Sequence, residues 1–210
     1  MATNYNTLIE SEKNLKKMVV QFLEYSYSTH EKLWKNIFTF EDGNKIIDSM
    51  EVRLKEAEQR ERDLLDECIW IISKDNPRAN HLRFIISIIY TTKDITKTAS
   101  YPLYIAKTFV RKKIDIIQIS KIKEMTESYL KLFEKYIKIY QNDKIKDKFD
   151  EVEKMYLEFI EFSHEINKKI RAELTEEDLE IDYFPISQII KLIEGTIEHV
   201  KNIFTNAVLK

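Results

Sequence analysis

Apolar residues recur along the chain at alternating three- and four-residue intervals, the spacing of one packed face of a helix. One such seam comprises Ile47, Met50, Leu54, Ala57, Glu61, Leu64, Cys68 and Ile71. Two further seams comprise Ile122, Met125, Tyr129, Leu132, Tyr136 and Ile139, and Ile145, Phe149, Val152, Tyr156, Phe159, Ser163, Ile166 and Ile170. Seams of this kind are typical of antiparallel helix bundles.

Clusters of turn-forming residues divide this pattern into six long helices. The breaks are EDGN at 41–44, KDNP at 74–77, RKKID at 111–115, QNDK at 141–144 and TEEDLEIDYFP at 175–185. We expect the first helix to span about residues 7–39, with Gly43 as its C-terminal residue. Pro77 should lie near the first turn of the third helix, where its missing N–H costs nothing, and Pro102 should kink that helix.

The order of these helices predicts an all-α protein with an internal duplication. Three helices in residues 1–112 would form one bundle, and three helices in residues 113–210 would form a second, tandem bundle. The two halves are only weakly similar in sequence, so the duplication is inferred from the layout.

Composition agrees with a helical protein and narrows its class. Of the 210 residues, 43% are hydrophobic and only 2 are Gly and 3 are Pro, which leaves too little turn chemistry for an all-β fold. The 34 Lys and Arg residues nearly balance the 36 Asp and Glu residues, so the net charge of -2 gives no electrostatic footprint for nucleic acid.

The same features indicate a cytoplasmic protein. The single cysteine, Cys68, excludes an internal disulfide and suits a reducing compartment. No apolar leader is visible at the N-terminus. The apolar run at 84–90 is far shorter than the roughly 20 residues that a membrane span needs. We therefore expect a monomer or homodimer that reaches a membrane only through a partner.

The passage from the second helix into the third resembles the PhoU family of phosphate-uptake regulators. That family has a P-x-A-x-D-L-R helix start, followed by an L-E-R-I-G-D signature. The matching start here is Pro77, Ala79, His81, Leu82 and Arg83, so His81 stands where the family has Asp. The length, the six-helix layout and the duplication are similar over nearly the whole chain.

The resemblance implies a binding protein and not an enzyme. PhoU proteins exert negative control on high-affinity phosphate uptake through contact with the ATPase of the phosphate ABC transporter. In many bacteria they also contact a sensor histidine kinase. The alternative that we keep open is a helical scaffold or adaptor with no link to phosphate.

The signature itself departs from the family pattern. Aligned on Ala99, the Glu and Asp of L-E-R-I-G-D are replaced in the first half by Lys93 and Lys97. In the second half Glu198 is kept and Asn202 replaces the Asp. PhoU proteins hold iron or zinc on these carboxylates, so the resemblance implies that the first half has lost its metal site. Either the two lysines simply extend into water, or they replace the charge of the metal.

Further candidate ligands lie elsewhere in the helices. The family's upstream acidic positions fall on Glu58 and Glu153. Glu194, Glu198 and Asn202 form an i, i+4, i+8 band that suits a hard cation, although such a band is more often a solvated helix face. We expect no cofactor except at most one weakly bound metal cluster, in the second half.

Enzymatic alternatives find little support in the sequence. Glu161 and His164 form the Glu-x-x-His element of ferritin-like dimetal bundles, but the second such element is missing. The chain also lacks a phosphate-binding P-loop and a recognisable nucleophile context.

Overall fold

The computed structural model describes residues 5–39, 41–114, 116–142, 145–172 and 183–208, and these residues form helices and connecting loops without a strand. The helices are α1 (Tyr5–Phe38), α2 (Gly43–Asp75), α3 (Asn80–Arg111), α4 (Ile116–Ser120), α5 (Lys123–Gln141), α6 (Phe149–Ala172) and α7 (Phe184–Val208). A 3₁₀ turn, Lys146–Lys148, precedes α6. The all-α prediction with six long helices is confirmed; the short α4 and the 3₁₀ turn are additions.

Gly43 begins α2, so our prediction that it ends the first helix is wrong. The side chain of Asp42 accepts hydrogen bonds from the backbone N–H groups of Asn44 (3.0 Å) and Lys45 (3.1 Å), which caps α2. Gly43 is needed for a different reason: a Cβ there would lie 2.8 Å from Cγ2 of Val110. The glycine therefore lets the start of α2 pack against the end of α3.

Pro77 is also displaced from its predicted position. Helix α2 ends at Asp75, and the next residue, Asn76, adopts the left-handed conformation (φ 44°) common just after a helix C-terminus. Pro77 is buried in the loop that follows, and α3 begins three residues later, at Asn80. Pro102 does lie inside α3, and α3 continues through it. The bend expected there stays a prediction.

Helices α3 and α7 occupy the centre of the molecule. Helix α3 packs against α1, α2 and α7, and α7 packs against α3, α5 and α6. Ile95 on α3 and Ile193 and Ile197 on α7 are fully buried, and each such side chain contributes roughly 1.5–3 kcal/mol. The α3–α7 and α1–α5 contacts join residues from both predicted bundles, and one hydrophobic core runs through both. The division at residues 112 and 113 into two bundles stays a prediction.

Candidate functional site

The residues that resemble the PhoU helix start form a strained turn at the beginning of α3. Ala79 has φ 50° and ψ -118°, a conformation that favours glycine. The N–H of His81 donates to the carbonyl of Arg78 (3.2 Å) and closes the turn. Nδ1 of His81 lies 2.8 Å from Oε1 of Glu12 on α1. The histidine at the family's Asp position therefore ties α3 to α1.

The rest of this motif separates into buried and exposed positions. Pro77 is buried and Leu82 is half-buried, whereas Arg83 is exposed. Arg83 lines a shallow pocket of about 130 Å³ between α3 and α7, together with Ile86, Ser87, Tyr90 and Asn206. The motif thus leads directly into the groove between the two central helices.

The first-half candidates do not come together as a ligand set. Lys93 and Lys97 are exposed on α3, and Glu58 is exposed on α2. Within the described ranges, neither lysine forms an ion pair. This placement favours the interpretation in which the lysines extend into water.

Asp94, between these two lysines, is the polar residue that the sequence analysis missed. Its Oδ1 accepts a hydrogen bond from Nδ1 of His199 (2.8 Å), and its Oδ2 accepts one from Nδ2 of Asn206 (2.9 Å). All three side chains are half-buried between α3 and α7. A signal was available, because Asp94 is the only acidic residue in the sequence of α3.

The second-half candidates do converge, around Tyr156 on α6. Burial raises the pKa of Tyr156, and the nearby carboxylates of Glu198, Glu153 and Glu194 raise it further. Helix α6 supplies Glu153, and α7 supplies the other two carboxylates. Three of the predicted ligands therefore lie near enough to one phenol group to affect its pKa, while Asn202 lies half-buried farther along α7.

The polar groups around Tyr156 are already paired in ways that fit a metal poorly. Nζ of Lys201 lies 3.7 Å from Oε2 of Glu153 and 4.9 Å from the centre of the Tyr156 ring. Oε1 of Glu194 accepts a hydrogen bond from the buried Ser163 hydroxyl (2.5 Å). No group of three or more His, Cys, Asp and Glu side chains in the described part of the chain is arranged to hold a metal ion. A lysine ammonium group instead lies beside the carboxylate of Glu153.

Two relatives in sequence are uncharacterized proteins of Mycoplasma. No family model matches the chain. The chain is 28% identical over 208 residues to the uncharacterized protein MG409 of Mycoplasma genitalium, covering 95% of this chain and 89% of that protein. It is 26% identical over 206 residues to the MG409 homolog of Mycoplasma pneumoniae, with the same coverage.

A solved structure provides the informative comparison. The structure of this chain matches the crystal structure of the phosphate transport system regulatory protein PhoU from Streptococcus pneumoniae with a TM-score of 0.74. The match covers 96% of this chain and 95% of that chain, at 14% sequence identity. In the described part of this chain, no helix is long and apolar enough to cross a membrane. The comparison shows that this chain has the fold of PhoU.

Proposed function

We propose that this protein is a cytoplasmic PhoU-like regulator that restrains phosphate uptake by binding the ATPase of the phosphate ABC transporter. A sensor histidine kinase is a second partner in this proposal. The observation that carries it is the fold shared with PhoU over 96% of the chain. The PhoU-like helix start at Pro77, Ala79 and Arg83 supports it independently, because those positions were matched from sequence alone.

The proposal makes the protein a binding module and not an enzyme. Two half-buried carboxylates are held in structural contacts: Asp94 by His199 and Asn206, and Glu194 by Ser163. Burial, reinforced by Glu67, raises the pKa of the Cys68 thiol to about 12, so a reactive thiolate is strongly disfavoured.

Phosphate uptake in a deletion strain tests this function. Loss of a negative regulator should raise the initial rate of radiolabelled phosphate uptake in phosphate-rich medium, and a plasmid copy should restore the lower rate. Uptake of an unrelated substrate is the control for general changes in transport. A reciprocal pull-down with the tagged transporter ATPase should recover this chain.

The scaffold alternative is kept because the metal signature is altered at Lys93, Lys97 and Asn202. It makes the opposite prediction in the same experiment. Unchanged phosphate uptake in the deletion strain, with no ATPase recovered, would favour an adaptor unrelated to phosphate.

A further inference from the structure

Helix α3 exposes a single narrow stripe to solvent. Most of its circumference is covered, because α1, α2 and α7 all pack against it. The exposed residues from position 83 onward are Arg83, Ile86, Tyr90, Lys93, Lys97, Tyr104 and Arg111, which we call the α3 stripe. On a helical wheel of 100° per residue they fall within about 80° of one another. The α3 stripe is therefore one continuous surface.

The α3 stripe is positively charged on a protein that is slightly acidic overall. It carries four cations and no carboxylate, while the whole chain has a net charge of -2. The only acidic residue of α3, Asp94, is bonded to His199 and Asn206 on α7. Nearby, Glu51 is paired with Lys107 at the flank of the stripe (2.9 Å), and Glu198 lies close to Tyr101.

The stripe cations have no partner of opposite charge within the described residues. Arg83, Lys93, Lys97 and Arg111 form no ion pair there. Unpaired cations on one face attract acidic partners and speed their association. The positive charge of the α3 stripe therefore favours a negatively charged partner.

The α3 stripe also contains a place for an apolar side chain. The pocket of about 130 Å³ lies at its N-terminal end, and the partly exposed Ile86 (40%) and Tyr90 (57%) contribute to its wall. A leucine-sized side chain would bury apolar surface there. Lys93 and Lys97 follow roughly 10 Å farther along the helix axis, at about 1.5 Å per residue.

We propose that the α3 stripe binds an acidic amphipathic helix of a protein partner. One apolar side chain of that helix enters the pocket, and two carboxylates one turn apart pair with Lys93 and Lys97. The inference rests on the proposed function only in treating the chain as a binding module, and it requires no link to phosphate. A protein helix is favoured over an anionic membrane because membrane-surface helices present a broad apolar face, whereas cations interrupt the apolar residues here.

A designed peptide tests this surface directly. The probe is a fluorescein-labelled, helix-forming peptide of about 18 residues, which is long enough to be partly helical. It carries one exposed Leu and, about two turns farther along the same face, two Glu that are one turn apart. Fluorescence anisotropy with the full-length chain should show saturable binding that weakens as salt is added. The same peptide with Lys in place of both Glu should not bind.

Variants of the chain locate the binding site. Lys93→Glu with Lys97→Glu should weaken the peptide affinity by about tenfold or more, because two attractions become repulsions. The matched control is Lys13→Glu with Lys17→Glu on α1, which reverses two exposed lysines at the same spacing and changes the net charge equally. Tyr90→Ala should weaken binding severalfold, whereas Tyr90→Phe, which keeps the ring, should not. Circular dichroism checks that every variant remains helical.

Three results would overturn the proposal. One is the absence of saturable peptide binding. Another is an equal loss of affinity in the control double variant, which would show that the net charge of the protein, and not the α3 stripe, determines peptide binding. The third is binding to phosphatidylglycerol vesicles, lost in Lys93→Glu with Lys97→Glu, without peptide binding; the surface would then be a membrane-docking face. Peptide binding is measured without the transporter, so it can succeed even if the deletion strain takes up phosphate normally.

Discussion

His30 on α1 donates a hydrogen bond from Nε2 to the backbone carbonyl oxygen of Thr98 on α3, at 3.0 Å. That carbonyl lies four residues before Pro102, which has no N–H to complete the helical hydrogen bond. His30 is fully buried and supplies the missing donor. Its Nδ1 lies 3.2 Å from the hydroxyl of Tyr129 on α5, and that hydroxyl also accepts a hydrogen bond from Trp34.

This arrangement fixes the protonation of the imidazole. A carbonyl oxygen only accepts, so Nε2 carries the proton, and Nδ1 of the neutral ring accepts from Tyr129. The result is a directed chain from Trp34 through Tyr129 and His30 to Thr98. It links α1, α3 and α5, and so spans both halves of the sequence.

The first prediction concerns acid stability. Burial lowers the pKa of His30 to about 4, against an ordinary value of 6.5. Between pH 6.5 and pH 4, His30 is protonated in the unfolded chain but stays neutral in the folded chain. The contribution of His30 to the free energy of unfolding is therefore complete above pH 6.5 and is lost as the pH falls toward 4. The loss approaches about 3 kcal/mol. Urea unfolding at a series of pH values should show it, and His30→Gln should remove this part of the pH dependence. An identical pH profile for the two proteins would contradict the assignment.

The second prediction concerns the hydroxyl of Tyr129. Tyr129→Phe leaves Nδ1 of His30 and the indole N–H of Trp34 without partners in a buried region, which should lower the free energy of unfolding by about 1–3 kcal/mol. Tyr27→Phe is the control, since that hydroxyl bonds Glu31 at the surface and its loss should cost less than about 0.5 kcal/mol. Comparable losses for the two variants in urea would argue against a buried network.

The sequence predicted the helices well and the packing between them poorly. Apolar residues at three- and four-residue intervals identify a helix because they mark the face that packs in the core, and each long helix of the structure has such a face. Gly43 was misassigned because the helix-starting cap of Asp42 competes with the helix-ending role usual for glycine. Asp94 was missed because its partner His199 lies 105 residues away, and only the α3–α7 contact brings them together.

The third prediction tests the strained turn at the start of α3. Ala79 holds a φ of 50°, at a cost of about 1–2 kcal/mol for a residue with a Cβ. Ala79→Gly removes that cost but adds flexibility to the unfolded chain, so the free energy of unfolding should rise by roughly 0.5 kcal/mol. Ala106→Gly, in the interior of α3, should instead lower it by at least about 1 kcal/mol. Destabilisation by both substitutions would show that the turn is not strained.

The fourth prediction concerns the joint between the two central helices. Asp94→Asn removes the charge that His199 and Asn206 bond, and should lower the free energy of unfolding by about 1–2 kcal/mol. Amide hydrogen exchange in α3 and α7 should speed up together. The control is Asp66→Asn on the exposed face of α2, for which we expect almost no change. If the amides of α7 exchange as slowly in the Asp94→Asn variant as in the unmodified protein, the contact of Asp94 with His199 and Asn206 does not stabilise the packing of α3 against α7.

The last prediction addresses metal binding in the second half. Nζ of Lys201 lies beside the carboxylate of Glu153, where a divalent cation held by Glu153, Glu194 and Glu198 would have to approach. Placing a charge of +2 at about 4 Å from an ammonium group costs roughly 8 kcal/mol at an effective dielectric of about 20, and partial solvent exposure reduces this severalfold without changing its sign. Lys201→Met should therefore raise the affinity for zinc, measured by calorimetry on dialysed protein. Stoichiometric, tightly held metal in the unmodified protein, found by elemental analysis, would show that Lys201 does not oppose a metal.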